Sequence, residues 1–305
     1  MKIKNFLTIF IIFSIGIFFI WQGIYLPKSS TSSEEKLFSI EKGQNLFQIT
    51  ENLEKEDLIK NKFFFDFYVF IKRAQRKLRA GDYYLSSSES IAEIAKKIIS
   101  GDIAKIVVTI PEGFTVKQIE ERIGLKLPGE NLEGFLFPDT YQFPLRVSGE
   151  EAAKKMRDNF DKKITPDLRE EIKRQGKTIF EIVTMASLLE KEVRNFEDKK
   201  MVSGILWNRL DNRIPLQVDA TITYITGKKT TKISIEETQI DSPYNTYKYL
   251  GLPLGPICNP GLESIISAIY PKSSQYWYYL SIPEGETIFS KTLEEHNIAK
   301  AKYLK

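Results

Sequence analysis

Three glutamates, Glu181, Glu190 and Glu192, lie in one segment, residues 178–193, whose apolar residues recur at helical spacing. The spacing places five residues on one helix face: Ile179, Val183, Ala186, Glu190 and Val193. Glu190 therefore interrupts an apolar stripe, where the charged form of a carboxyl is disfavoured. A carboxyl that stays protonated at neutral pH suits general acid catalysis. Glu192 is about 200° away around the helix, beside Glu181, and is predicted to be solvated.

The segment alone leaves two interpretations of Glu190 open. It is either a catalytic acid or an ordinary helix glutamate paired with a lysine. Its role therefore depends on the elements that surround it.

The chain after residue 152 is predicted to be mostly helical until about residue 208. Gly251–Pro256 holds two prolines and two glycines and is predicted to be a structured loop. Residues 277–282 are predicted to form a strand, and residues 293–303 a terminal helix. These elements must carry any residues that act together with Glu190.

An internal repeat with a period of 70 residues precedes this helical region. Residues 38–49 align with residues 108–119, and each copy reads as a strand, a glycine turn and an amphipathic helix. A weaker third copy begins at Tyr83 and includes Ser90 and the following helix. The repeat predicts small α+β units and does not by itself indicate a function.

The composition indicates a globular protein with room for two soluble domains. The chain has 305 residues, of which 42% are hydrophobic and 28% are charged. The net charge of +4 is small and dispersed, so nucleic acid is not an expected partner. Cys258 is the only cysteine, which excludes an intrachain disulfide. We interpret it as a packed residue rather than a nucleophile, since the only histidine is His296.

The N-terminus carries a candidate membrane anchor. Residues 5–27 contain no charge, and about 20 apolar residues are enough for a helix to span a bilayer. Lys2 and Lys4 predict a cytoplasmic tail, residues 1–4, with the rest of the chain outside. The alternative is a cleaved signal peptide, which would have a shorter apolar region and a small-residue cleavage site. Residues 28–36 are predicted to be a linker.

Several further motifs occur in a fixed order around Glu190. They are Leu132–Tyr141, Asn208–Leu210, Leu216–Thr221, Ser242–Tyr247, Gly251–Gly261 and Phe289–Asn297. In this order and spacing the chain closely resembles the endolytic murein transglycosylase family, also called YceG-like, from the anchor to the C-terminus. In three places it departs from the usual family pattern: Ala220, Leu254 and Thr287 replace a proline, a proline and a histidine.

The resemblance implies an α+β protein with a transmembrane helix, a LysM-like module in residues 37–105 and a catalytic domain in residues 106–305. The family's catalytic acid matches Glu190, on a helix. The implied activity is that of a lytic transglycosylase, which cleaves bonds between N-acetylmuramic acid and N-acetylglucosamine in nascent glycan strands and leaves 1,6-anhydro ends, so that strand elongation terminates. The expected location is the bacterial cytoplasmic membrane. Glycan strands and wall-synthesis proteins such as penicillin-binding proteins are the implied partners, without a metal or another cofactor.

Five residues with groups that bind sugars are candidates for the saccharide cleft: Gln217, Asp219, Tyr244, Asn245 and Asn259. Each could instead order a loop or a turn. Glu133 and Asp139 are predicted to be structural. Two other functions stay open: a lysozyme-type hydrolase with Asp219 as second carboxyl, and a non-catalytic scaffold that binds the wall.

Overall fold

The computed structural model describes residues 2–30, 34–228, 233–282 and 285–303, with residues 2–4 by their backbone alone. Its contacts divide the chain into two units. Met1–Val107 and Gln142–Val147 form the first, and Val108–Tyr141 and Ser148–Lys305 form the second. Each unit combines helices with a two-stranded antiparallel sheet, so the predicted α+β class is confirmed. Three residues of the predicted linker, 31–33, lie outside the described residues.

The predicted N-terminal helix is present as α1, Lys2–Tyr25. It includes a stretch of 21 residues, Asn5–Tyr25, with a mean hydropathy of 2.2, and most of this stretch is exposed. By length and composition this helix can cross a membrane. Its last turn packs within the first unit, where the rings of Tyr25 and Tyr68 meet edge to face at 6.4 Å.

The rest of the first unit is a two-stranded sheet covered by helices. Its elements are β1 (Glu35–Ile40), α2 (Leu46–Lys55), α3 (Lys62–Ile71), β2 (Gly81–Ser86) and α4 (Ile91–Ser100). In the antiparallel pair, Glu35 lies opposite Ser86 and Ile40 lies opposite Gly81. The core is formed by fully buried side chains that include Phe38, Leu53, Phe65, Tyr83 and Ile94.

The predicted repeat is confirmed in all three copies. The second copy consists of β3 (Lys105–Thr109) and α5 (Val116–Ile123), and β3 pairs with β4 (Thr140–Pro144). β1 and β3 begin at residues 35 and 105, and α2 and α5 at 46 and 116. The helices α2, α4 and α5 each begin with a capping box, in which two side chains satisfy free backbone N–H groups.

The second unit is mainly helical. Its helices are α6 (Gly149–Lys163), α7 (Pro166–Arg174), α8 (Ile179–Glu192), α9 (Phe196–Asp211), α10 (Asp219–Thr226), α11 (Leu262–Ile269) and α12 (Leu293–Tyr303), with a short 3-10 helix at Glu237–Gln239. β5 (Tyr278–Ser281) and β6 (Thr287–Ser290) pair antiparallel. The helical region, the strand and the terminal helix are confirmed, and Gly251–Pro256 holds neither helix nor strand.

The central helix of this unit is α8, which is enclosed on more sides than predicted. All eight residues from Ile182 to Leu189 are buried, whereas the sequence predicted one buried face and one solvated face. The neighbouring helices α7, α9, α10 and α11 all contact it. Because the helix is apolar nearly all round, burying it on several sides is the stable solution. Only its two ends reach polar surroundings.

Candidate active site

Glu190 lies in the last turn of α8, and only 9% of its side chain is exposed. Its Oε2 accepts hydrogen bonds from the N–H of Gly261, at 2.9 Å, and from the hydroxyl of Ser264, at 2.6 Å. Its Oε1 lies 3.5 Å from Nζ of Lys199. The prediction of apolar surroundings for this carboxyl is therefore wrong. The apolar residues of its helix face pack in the core, while the carboxylate itself meets three donors.

Two of these donors belong to the start of α11. Gly261 is the N-cap residue, and Ser264 lies in the first turn. The first N–H groups of a helix have no partner inside it and carry partial positive charge, so a carboxylate is stabilised there. A Cβ on residue 261 would lie 1.9 Å from Oε1 of Glu112. Glycine is therefore the residue that brings this N–H to Glu190 without displacing Glu112.

Lys199 of α9 is 3% exposed, which is rare for a lysine. A buried ammonium requires a nearby anion, and the Glu190 carboxylate provides it. Glu112 lies in the same electrostatic environment: burial, followed by the charge of Glu190, raises its pKa. The site thus combines a buried cation with two neighbouring carboxyl groups.

The turn of the second repeat copy also lies against Glu190. Gly113 has a φ of +76°, and a Cβ there would lie 3.5 Å from Cγ of Glu190. Its N–H donates to the carbonyl of Asn259 at 2.9 Å, which joins the turn to the loop before α11. Gly43, at the matching place in the first copy, has nothing within 4 Å of an added Cβ. The turn of the second copy therefore contributes to the site.

A cleft of about 970 Å³ opens beside Glu190. Its polar and aromatic lining includes Glu190, Glu192, Arg209, Gln217, Asp219, Tyr247, Tyr278, Tyr279 and His296. Groups of this kind can hydrogen-bond sugar hydroxyls and pack on sugar rings. The structure thus brings the predicted residues Gln217 and Asp219 to the same cleft as Glu190.

The predicted solvation of Glu192 is wrong. Its Oε1 accepts the N–H of Ala220 and its Oε2 accepts the hydroxyl of Tyr279, each at 3.3 Å. Burial, followed by the charge of Asp219, raises the pKa of Glu192 to about 7. Helical phase could not reveal this, because α10 and β5 cover the side of α8 that Glu192 faces. The cleft therefore contains a second carboxyl with unusual protonation behaviour.

Gln217 and Asp219 flank the start of α10. The hydroxyl of Tyr247 donates to Oδ1 of Asp219. Gln217 has a φ of +52°, and its N–H donates to the carbonyl of Thr246 at 3.1 Å. A left-handed backbone is unfavourable for residues other than glycine and is often found at functional sites. The side chain of Gln217, which has this backbone conformation, is exposed in the cleft.

Tyr244, Asn245 and Asn259 are not among the described residues that line this cleft. Tyr244 is half-buried, and its ring lies 5.0 Å from that of Tyr224. Asn245 is 1% exposed, and its amide donates to the carbonyls of Thr238 and Ile240 at 3.0 and 2.8 Å. These contacts give Asn245 a direct role in ordering the loop before it.

Asn259 is fully buried and connects three segments of the second unit. Its amide donates to the carbonyl of Phe114 and to Glu133, and its Oδ1 accepts the N–H of Leu136 at 2.8 Å. Glu133 also accepts the N–H of Val116, and burial raises its pKa to about 7. These bonds hold the Gly113 turn and the loop before α11 together. The predicted structural role of Glu133 agrees with these bonds.

Cys258 is completely buried, and burial raises the pKa of its thiol. Its Sγ lies 3.4 Å from the carbonyl of Ser187. These observations agree with a packed residue, since reactivity requires an accessible thiolate. Asp139, also predicted to be structural, accepts bonds from the N–H of Thr140 and the amide of Asn159.

The chain matches one protein family over most of its length. The profile of the YceG-like family matches residues 38–302. The chain belongs to this family. It is 31% identical to an endolytic murein transglycosylase of Bacillus subtilis, over 95% of this chain and 90% of that protein. It is 30% identical to an endolytic murein transglycosylase of Streptococcus pneumoniae, over 99% of this chain but only 66% of that protein.

A solved structure shares the YceG-like fold. A YceG-like protein of Listeria monocytogenes is 34% identical to this chain, and its crystal structure superposes with a TM-score of 0.60. The match covers 88% of this chain and 100% of the other.

Sequence reasoning missed several residues of this YceG-like site. The sequence did not indicate a role for Lys199, because charged residues on helices are usually solvated. Ser264 carries no signal beyond its place near a helix start. Tyr247 and Tyr279 resemble ordinary core aromatics in sequence. Only the Glu-Lys-Glu triplet at residues 190–192 could have suggested two carboxyl groups in one cleft.

Proposed function

We propose that this protein is a membrane-anchored lytic transglycosylase that cleaves peptidoglycan glycan strands internally, with Glu190 as general acid and then general base. The observation that carries the proposal is the position of the Glu190 carboxylate, which lies at a cleft large enough for several sugar rings and is fixed by Gly261 and Ser264. The names of the Bacillus and Streptococcus relatives support the same activity.

In the proposed reaction, protonated Glu190 gives its proton to the oxygen between N-acetylmuramic acid and N-acetylglucosamine. The bond from that oxygen to the anomeric carbon of the muramic acid breaks. The ionised Glu190 then takes the proton of the 6-hydroxyl of the same muramic acid, and this oxygen bonds to the anomeric carbon. The product carries a 1,6-anhydro ring, Glu190 is protonated again, and no water is consumed. Cleavage inside nascent strands would end their elongation.

The donors around Glu190 fit both halves of this cycle. Gly261 and Ser264 both bond to Oε2, which leaves Oε1 as the oxygen for proton transfer. After the proton has left, the negative charge is stabilised by the ammonium of Lys199 and by the helix N-terminus. A single carboxyl can therefore serve as acid and as base.

Gln217 and Asp219 are the proposed saccharide contacts nearest to the chemistry, because both line the cleft. Tyr244, Asn245 and Asn259 are proposed as further saccharide contacts, ranked below Gln217 and Asp219. The amides of Asn245 and Asn259 are engaged by the protein itself, so a sugar contact there would require these bonds to exchange. Their contribution would chiefly be to hold the loops that border the site.

The rest of the chain would place this site near its substrate. Residues 37–105 are proposed to be a LysM-like region that holds glycan, and residues 106–305 the catalytic region. The helix α1 would anchor the protein in the cytoplasmic membrane with its N-terminus inside and the cleft outside. Wall-synthesis proteins such as penicillin-binding proteins are the proposed partners in this location.

The proposal is tested by digesting purified sacculi with the full-length protein in detergent and identifying the products by mass spectrometry. We expect new ends that carry 1,6-anhydro-N-acetylmuramic acid, each lighter by one water than a reducing end. Internal cleavage should release long fragments before short ones. The Glu190→Gln variant is the control and should release anhydro ends at least ~10²-fold more slowly.

A lysozyme-type hydrolase is the second candidate, because Asp219 and Glu192 place further carboxyl groups in the cleft. Glycoside hydrolysis commonly uses two carboxyl groups, one as acid and one as base or nucleophile. Reducing ends, together with their loss in Asp219→Asn, would favour this candidate. Under the transglycosylase proposal Asp219→Asn still yields anhydro ends, at a lower rate.

A further inference from the structure

The helix α3 carries an unusual amount of exposed apolar surface. Eight of its ten side chains are apolar or aromatic, and the two exceptions are Lys62 and Asp66. Phe65 and Val69 are buried in the core of the first unit. A helix that is apolar nearly all round requires an apolar neighbour on every side.

The outer side of α3 forms one stripe, in which Phe67 is half-buried and the other residues are exposed. Phe63, Phe67, Phe70 and Ile71 lie four, three and one residues apart, so they share a helix face. Phe63 and Phe67 stack with ring centroids 6.0 Å apart. Phe70 is 69% exposed and Ile71 59% exposed, and a contiguous aromatic patch of this kind marks an interaction surface.

The stripe lies near the anchor, because α3 packs on the last turn of α1. Phe64 of α3 packs on Gly23 of α1, where an added Cβ would lie 2.5 Å from the ring. Tyr68 meets Tyr25 edge to face at 6.4 Å, and Ile24 is buried. These three residues of α1 are the last of the candidate span, Asn5–Tyr25. α3 therefore packs on the end of the span that would reach the membrane interface.

The charges around α3 fit an anionic surface. Between residues 60 and 79 the only acidic residue is Asp66, which accepts a bond from Thr50 at 2.7 Å. The basic residues of this stretch are all exposed: Lys60, Lys62, Lys72, Arg73, Arg76, Lys77 and Arg79. Basic residues close to an anionic membrane are attracted to its lipid headgroups.

We propose that α3 is an interfacial helix whose Phe63–Phe67–Phe70–Ile71 stripe inserts into the outer leaflet beside the anchor, while the flanking lysines and arginines bind anionic lipid headgroups. Aromatic rings are favoured at this depth, and the polar ends of the helix stay in water. The proposal rests on the membrane anchorage proposed for α1. It gives the first unit a second attachment, which limits its rotation about the anchor.

The test uses the full chain in vesicles of phosphatidylglycerol and phosphatidylethanolamine. Cys258→Ala removes the native thiol. A fluorophore sensitive to polarity is then attached to Phe70→Cys, Lys42→Cys or Phe13→Cys. Lys42 is exposed in the turn that follows β1, a strand about 17 Å long. Phe13 lies in the middle of α1. Spin labels near the headgroup or deep in the acyl chain then report the depth of each fluorophore by quenching.

We expect the fluorophore at residue 70 to emit at shorter wavelength than the one at residue 42 and to be quenched by the shallow spin label. The fluorophore at residue 13 should be quenched by the deep label. Quenching at 13 but no more at 70 than at 42 would overturn the proposal while leaving the anchor intact. No quenching at 13 would overturn the anchorage as well.

Two further comparisons separate lipid from other partners. In phosphatidylcholine vesicles, which have no net charge, the quenching at residue 70 should weaken, and equal quenching would overturn the electrostatic part. In native membranes the fluorophore at residue 70 could be protected from aqueous iodide and yet not be quenched by lipid spin labels. That result would show that a protein covers the stripe, and it would overturn the proposal.

Discussion

The hydroxyl of Ser264 donates a 2.6 Å hydrogen bond to Oε2 of Glu190, although the two residues are 74 positions apart in the chain. This bond fixes the orientation of the proposed catalytic carboxylate from outside its own helix. It also fixes which oxygen meets Gly261 and Ser264, so that the other, near Lys199, faces the substrate in the proposed reaction.

Replacing Glu190 by Gln keeps the shape of the side chain and removes the transferable proton. Loss of general acid–base catalysis typically lowers the rate ~10²–10⁴-fold, and one residue serving both steps places the expected loss at the upper end. Glu192→Gln should retain more activity, because Glu192 lines the cleft without transferring the proton. Release of anhydro ends from sacculi measures both. An active Glu190→Gln beside an inactive, folded Glu192→Gln would show that the other glutamate is the acid.

Ser264→Ala removes one hydrogen bond to the Glu190 carboxylate. Bonds to charged groups contribute roughly 1.5–3 kcal/mol, so kcat should fall about ten- to hundred-fold while the fold persists. Ser267→Ala is the matched control, since Ser267 is also buried on α11 but donates to the carbonyl of Glu263 in its own helix. Equal losses in the two variants would indicate a general effect on α11 and contradict the positioning role.

Lys199→Met should destabilise the protein by about 3 kcal/mol, because it leaves the enclosed Glu190 carboxylate without its cation. Adding Glu190→Gln to this variant should recover most of the loss. Urea denaturation in detergent measures all three proteins. The adjacent Lys200→Met is the control: its partner Glu197 is 61% exposed, and such a pair contributes about 0–1 kcal/mol. A similar loss in both lysine variants would contradict the buried pair.

The raised pKa of Glu192 predicts how stability varies with pH. Between its ordinary value of 4.5 and about 7, the folded protein keeps the proton that the unfolded chain releases. The contribution of this group is therefore complete below pH 4.5 and is lost as the pH rises to about 7. Glu192→Gln should show a smaller fall in melting temperature over this range than the parent protein. Parallel curves for the two proteins would mean that Glu192 titrates normally.

The sequence by itself determined the local elements and the family. Hydrophobic spacing, glycine turns and capping residues act over a few positions, so α1, the three repeat copies, α8 and α12 could be predicted. Motif order identified the YceG-like family and singled out Glu190. Cys258 could be recognised as a packed residue from composition alone.

Only the tertiary structure decided what surrounds each carboxyl. The burial of Glu192 depends on Ala220 and Tyr279, and the donors of Glu190 come from Lys199, Gly261 and Ser264. Helical phase says which way a side chain leaves its own helix but not which other segments cover it. Desolvation and hydrogen bonding come from those segments, so the local pattern of α8 predicted the enclosure of Glu190 but neither its polar partners nor the burial of Glu192.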